Sequence, residues 1–332
     1  MPNSNYPKIV YLFGAGATHA EILNLEENPN ATFINKNGLL ISQVSERVIK
    51  SAQKSARFKK NVELVTSSEG SLNIELLITL FESNRIHDSD FKVNHLKTLV
   101  RKDILTRLSE NRKKKFYLHK ALLELHSRIE KRENLIGIIS LNYDDILDEA
   151  YKKIIGNPNY CHTSKKENNI PLLKLHGSFN WKNLKPYGKS KNISIIPLGV
   201  NKNYLVPPYN FIWSQAFEIL MECDVLRIIG CSLNQNDIGL VDLLFKAHLE
   251  RTNYFDIEII NSQKQGEEIK YKYGFFPGII TAKDIEGALI ADRLILSNDA
   301  DVGNPFKIWL KAKAERMLRD EVNKTDFIKK CF

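Results

Sequence analysis

Five short stretches of the chain carry residues able to act on a ligand, and each follows an apolar run. Lys8-Ile9-Val10-Tyr11-Leu12-Phe13 leads into Gly14-Ala15-Gly16-Ala17-Thr18. A strand, a tight glycine turn and a helix start make a junction whose backbone N–H groups can face an anion, because no side chain blocks the approach. The strict dinucleotide fingerprint is incomplete, since His19 stands at its third glycine position. Residues 135–140 run into Leu141-Asn142-Tyr143-Asp144-Asp145, and the run from Leu172 ends in His176-Gly177-Ser178. A run from Val225 ends in Gly230-Cys231-Ser232-Leu233, and one from Ile257 in Asn261-Ser262. An amide orients hydroxyls or a water, a carboxylate accepts hydrogen bonds, and a histidine moves a proton near neutral pH. Taken alone, Asn142-Tyr143-Asp144 is also a helix N-cap after a strand, and His176 a core histidine at a strand end.

The elements that must position these residues follow from the same runs. Apolar strands alternating with helical stretches predict an α/β fold: a Rossmann-type, doubly wound parallel sheet with its ligand contacts outside the carboxyl ends of the strands. From residue 38 the texture changes to Leu, Ile and Val at helical spacing among many charges, which predicts a helical insertion over 38–130. Leu76, Leu77, Leu80 and Phe81 form one expected packing stripe there, and Leu118, Leu122, Leu125 and Ile129 another. His87, His95, His119 and His126 fall in this region without forming a compact ligand set. Between His176 and Val225 the prolines and tryptophans, with a short apolar segment at 193–196, predict irregular or small β structure suited to a substrate flap. Pro305 opens an amphipathic C-terminal helix through Arg319, able to dock on the body or on another subunit. The core is thus expected over 1–37 and 131–300, and the helical tail over 301–332.

Composition bounds the function. The chain has 332 residues, 43% apolar and 26% charged, ordinary values for a folded globular protein. No apolar run approaches the roughly 20 residues that span a bilayer, and the first residues lack a secretory pattern, so a cytoplasmic protein without membrane contact is expected. Cys161, Cys223, Cys231 and Cys331 include no C-x-x-C pair. That spacing suggests neither a disulfide framework nor a thiolate zinc site. A net charge of +9, clustered around Arg112 and between Lys182 and Lys191, allows nucleic-acid contact, but no docking motif accompanies it.

The five stretches, in this order, resemble those of the SIR2 (sirtuin) family, and Asn73-Ile74-Glu75 is similar to a segment of bacterial SIR2-like proteins. The resemblance spans about residues 8 to 262, the helical insertion excepted. It implies NAD as substrate, with Gly14, Ala15, Gly16 and Ala17 along the pyrophosphate and Gly230, Ser232 and Asn261 on the phosphate and adenosine side. It implies Asn142 and Asp144 facing the nicotinamide riboside, and His176 as the active-site histidine. Two features depart from the protein-deacylating sirtuins. The paired cysteines of their zinc ribbon are missing, and Ala20-Glu21-Ile22-Leu23-Asn24 replaces the Pro-Asp-Phe-Arg continuation of their cofactor loop. What remains resembles the SIR2-like NADases of bacterial anti-phage defence, which work as oligomers or with a partner such as a HerA-like ATPase or an Argonaute protein. An NAD-dependent deacylase and a catalytically silent nucleotide- or DNA-associated scaffold are the competing expectations. No structural metal is expected, so a chelator-washed preparation should contain far less than one zinc per chain by elemental analysis.

Overall fold

The strand at the centre of the sheet buries both of its faces. Val10 and Leu12 point to one side and Ile9, Tyr11 and Phe13 to the other, as a strand covered on both sides requires. The structure, a computed structural model, describes residues 6–27, 29–55, 58, 74–83, 89–112, 114–129, 132–163, 169–181, 204–234, 237–276, 279–281 and 304–317. Its strands are β1 (Lys8–Phe13), β2 (Asn134–Ser140), β3 (Leu172–Lys174), β4 (Val225–Ile229), β5 (Asp256–Ile260) and β6 (Ile279–Thr281). All pairings are parallel, in the order β3-β2-β1-β4-β5-β6. This is the Rossmann order, with its topological switch point between β1 and β4. The strands expected from the apolar runs are present, and β6 joins them without a sequence signal of comparable strength.

The helices are α1 (Ala15–Leu23), α2 (Ala31–Asn37), α3 (Ile41–Ala52), α4 (Ile74–Ser83), α5 (Ser89–Asn111), α6 (Leu118–Glu124), α7 (Ile146–Ile154), α8 (Tyr209–Glu222), α9 (Ile238–Leu249), α10 (Gln263–Lys272) and α11 (Pro305–Met317). One face of the sheet is covered by α8, α9 and α10 through Ile212, Leu220, Leu240, Leu244 and Ile269. The other is covered by α6, α7 and α11 through Leu118, Leu122, Tyr151, Trp309 and Leu310. The expected insertion therefore divides. Helices α3, α4 and α5 form a core of their own around Val48, Leu77 and Leu96, whereas α6 is a layer of the sheet. Within α4 the buried stripe is Ile74, Leu77, Ile78 and Phe81, and Leu80 faces out. The tail helix docks on the chain itself, because Phe306, Trp309, Leu310 and Ala314 recur at helical spacing and are all buried. The segment at 193–196, the basic run between Lys182 and Lys191, His87, Asn73, Cys331 and the tail beyond Met317 lie outside the described residues. Among the described residues no helix is long and apolar enough to cross a membrane.

Beneath α11 lies a buried charge network. Arg227 on β4 donates to Glu258 at 2.5 Å, to Glu133 at 2.6 and 2.8 Å and to the Tyr11 hydroxyl at 3.2 Å. Lys313 of α11 reaches both Glu133 oxygens at 3.0 Å, and both cations lie over the Trp309 ring. Burial pushes His126, which is 2.5 Å from the Tyr11 hydroxyl, down to about 3, with the Lys313 charge adding to the effect. For Glu133 burial acts upward, but the Arg227 hydrogen bond and charge, then Lys313, hold it at about 2. Both shifts erode stability in acid. The unfolded chain protonates its histidine near pH 6.5 while the folded one waits until about 3, and Glu133 must be protonated against a folded value of about 2. Stability is therefore whole above about pH 6.5 and falls continuously below it. Urea unfolding of His126→Asn should show a flatter decline than the parent between about pH 6.5 and 4.5, with the steeper loss below that retained.

Candidate functional site

The site is built where β1, β2, β3 and β4 end. At the end of β1 the chain turns so tightly that Gly14 and Gly16 touch the corresponding turn of β4. A Cβ on Gly14 would lie 2.6 Å from the Cys231 Cα, one on Gly16 2.7 Å from the Gly230 oxygen, and one on Gly230 2.2 Å from the Ala17 nitrogen. Gly230 also has φ +60°, a left-handed conformation that glycine adopts without steric cost. The Gly16 N–H donates to the Gly230 oxygen at 2.7 Å. These glycines face each other, and Ala17 turns its side chain into the core. What the turn presents outward is Ala15, exposed at the first position of α1, whose N–H has no acceptor among the described residues. Ser232 is likewise exposed. Asn261, at the end of β5, donates to the Cys231 carbonyl at 3.2 Å and accepts from the Ser262 N–H at 3.0 Å, so it braces the β4 turn.

At the end of β2, Asn142 reaches across to the β1 turn. Its amide nitrogen donates to the Gly14 carbonyl and to the Thr18 hydroxyl, both at 2.9 Å. The Thr18 hydroxyl has one proton, and it goes to Asp144 Oδ2 at 2.8 Å. The chain of donors is thereby directional: an ionised Asp144 makes Thr18 a donor, Thr18 must then accept from Asn142, and the Asn142 carbonyl oxygen is turned away from all three. That oxygen has no partner among the described residues. Asp144 is buried, and its second oxygen accepts the Ile146 N–H at 3.1 Å at the start of α7. Both of its oxygens are thus engaged within the chain. Burial raises its pKa, opposed first by the Lys174 charge and then by the Thr18 hydrogen bond. Lys174, on β3 and 1% exposed, donates to the Asp144 carbonyl and to Asp148 at 2.8 Å.

Beyond β3, His176 is buried in a turn that Gly177 closes at φ +81°. Its Nε2 lies 3.1 Å from Asp237 Oδ2, and the Tyr204 hydroxyl donates to Asp237 Oδ1 at 3.3 Å. The Tyr143 ring lies 6.1 Å from the His176 ring and stacks on Phe179 at 5.4 Å. Burial, then the charges of Glu75 and Asp237, hold the Tyr143 phenol well above its usual range. Tyr209, near enough to add to that effect, is 3% exposed, and its hydroxyl has no partner among the described residues.

The structure therefore brings the Gly14 turn, Asn142, Asp144 and His176 to adjacent strand ends and leaves Asn261 and Ser232 on the far side of the switch point. Thr18, Lys174, Asp237 and Tyr204 join them without standing out in the sequence, and the charge of Glu75 reaches Tyr143. Thr18 lies one helical turn after Gly14, and Asp237 just before a helix, where it reads as a cap. Its side chain makes no cap hydrogen bond to α9. Among the described residues no group of three or more His, Cys, Asp or Glu side chains is placed to hold a metal ion.

No protein family matches the chain, and no curated protein matches it in sequence. Among solved structures it is similar to one described under the mechanism and regulation of Sir2 enzymes, 14% identical with a TM-score of 0.35, over 98% of this chain and 93% of that one. It is also similar to Sir2Tm bound to a propionylated peptide, 10% identical with a TM-score of 0.34, over 81% of this chain and 94% of that one. The α/β, Rossmann-type assignment follows from the sheet order itself.

The directional network makes Thr18 the test of the site's architecture. Thr18→Val keeps the shape and deletes the hydroxyl, leaving a buried carboxylate oxygen and an amide proton unpaired. It should cost about 1–3 kcal/mol in denaturant unfolding.

Proposed function

We propose that this protein is a SIR2-like NAD glycohydrolase that cleaves NAD to nicotinamide and ADP-ribose. The observation that carries the reading is the convergence of the Gly14 turn, Asn142 and His176 at the ends of three neighbouring strands beside the switch point. Three groups with unspent hydrogen-bonding capacity fit a ligand bearing phosphates, ribose hydroxyls and an amide: the Ala15 N–H at the start of α1, the Asn142 oxygen and the buried Tyr209 hydroxyl. A helix start with an open N–H suits an anion.

The chemistry asks little of such a site. Nicotinamide leaves as a neutral molecule from a cationic ring, so no strong general acid is needed, unlike in a glycosidase with its two carboxylates. The ribose passes through an oxocarbenium-like state, and the protein must orient it, exclude bulk water and position one nucleophile. In this reading Asn142 orients the ribose and the attacking water, and His176 accepts the water's proton. Asp144 acts one step back, through Thr18, by aiming the Asn142 amide. The absence of paired cysteines from the sequence sets this reading apart from a zinc-ribbon deacylase. By its resemblance the enzyme would serve as the NAD-depleting effector of a bacterial anti-phage system in the cytoplasm, as a homo-oligomer or under control of a HerA-like ATPase or Argonaute partner.

Purified protein, alone and with the product of its neighbouring gene, should release nicotinamide and ADP-ribose from NAD. His176→Ala and Asn142→Ala should each lower turnover by about 10² to 10⁴-fold while leaving NAD affinity within about tenfold. Wild-type nicotinamide release by His176→Ala at saturating NAD would overturn the site. NAD-dependent removal of an acetyl group from a peptide, without hydrolysis in its absence, would overturn the reaction.

A further inference from the structure

His176 is held by more than its place in the turn after β3. Its Nε2 faces Asp237 Oδ2 at 3.1 Å, and both side chains are at least nine-tenths buried. Asp237 does not spend its carboxylate on the helix that follows it, since α9 begins without a side-chain cap bond. Its other oxygen accepts the Tyr204 hydroxyl at 3.3 Å. Tyr204 reaches that oxygen across Gly239, where a Cβ would lie 2.5 Å from its ring. The Trp213 ring lies 4.0 Å from Tyr204, and its indole N–H donates to the carbonyl of Leu175, the residue before the histidine, at 3.0 Å. Asp237 thus faces the imidazole itself, Tyr204 holds Asp237, and Trp213 holds the backbone just before the histidine.

We propose that Asp237 is a positioning residue that fixes His176 as the Nε2–H tautomer, with Tyr204 and Trp213 holding the pair in register. The inference deepens the glycohydrolase reading, on which its catalytic consequence rests. A carboxylate can only accept, so a hydrogen bond across this 3.1 Å contact would put the hydrogen on Nε2 and leave Nδ1 as the basic nitrogen. In the proposed step the water oxygen bonds to the ribose anomeric carbon. The carbon–nitrogen bond breaks with its electron pair going to the nicotinamide ring, and the water's proton goes to Nδ1. The resulting imidazolium lies against the Asp237 charge, which favours the transition state over the resting site. In serine proteases a carboxylate that sets a histidine's tautomer in this way is worth up to about 10⁴ in turnover.

The test reads the tautomer directly. In protein labelled with ¹⁵N in its histidine rings, the His176 signals, assigned by their loss in His176→Ala, should show a single Nε2–H form at a pH where the ring is neutral. Asp237→Ala should convert that signal to a mixture with the Nδ1–H form. With NAD, Asp237→Ala should lower kcat by about 10²-fold or more and change KM by less than about threefold. A wild-type Nδ1–H signal overturns the proposal whether or not the protein cleaves NAD. So does an unchanged tautomer in folded Asp237→Ala, or a loss confined to KM. If the parent protein shows the Nε2–H form but no NAD turnover, the assignment of Asp237 stands and the glycohydrolase reading fails. The parent measurement needs no variant, so an unstable Asp237→Ala does not spare the proposal.

Discussion

The contact on which this end of the sheet depends is made without side chains. β1 and β4 are paired through Phe13 and Ile229, and in a doubly wound sheet the chains diverge after that point to open the crevice between them. Here the turns stay together for three more residues, because glycine at 14, 16 and 230 lets backbone meet backbone and the Gly16 N–H bond to the Gly230 oxygen. The floor of the crevice is therefore peptide, rigid and without flexible groups. The glycines hold the two halves of the sheet together, and the first residue the turn exposes is Ala15.

That floor fixes what the neighbouring strand can do. Asn142 is anchored to the Gly14 carbonyl, so its amide plane is set by the turn and its polarity by the Thr18–Asp144 pair. The buried Lys174–Asp148 pair beside it is weak support for stability, since taking two charges out of water costs about as much as their attraction returns. Its effect is on register: Lys174 also holds the Asp144 carbonyl, and so ties β3, on which His176 depends, to the loop after β2.

The sheet was legible because both of its faces are apolar and each strand ends at a small or polar residue, so runs such as the one from Val225 to Ile229 announce their own limits. β6 was not legible, being three residues long and ordered by its pairing with β5 rather than by its own pattern. The residues of the site were legible by type, since glycine turns, amides and a histidine after apolar runs stand out. Their partners were not. Thr18 looks like any small helical residue, and only the fold brings it to Asn142, 124 positions away. Asp237 is hidden for the opposite reason: an aspartate before a helix has an ordinary explanation, and only the folded chain shows its carboxylate turned to a histidine instead. The tail helix shows the same limit, because Trp309 and Leu310 mark an apolar stripe without saying which surface receives it.

Tyr143 connects the site to the inserted helices. Tyr143 packs against the core formed by α3, α4 and α5, lies beside the His176 ring and stacks on Phe179. Glu75, near the start of α4, is close enough for its charge to raise the Tyr143 phenol's pKa. Burial and the charges of Glu75 and Asp237 keep this phenol protonated, so it remains a donor. The helices thus border the site as well as forming a separate core. Tyr143 thus links the core of the inserted helices to His176, the residue assigned the base's role in the proposed reaction.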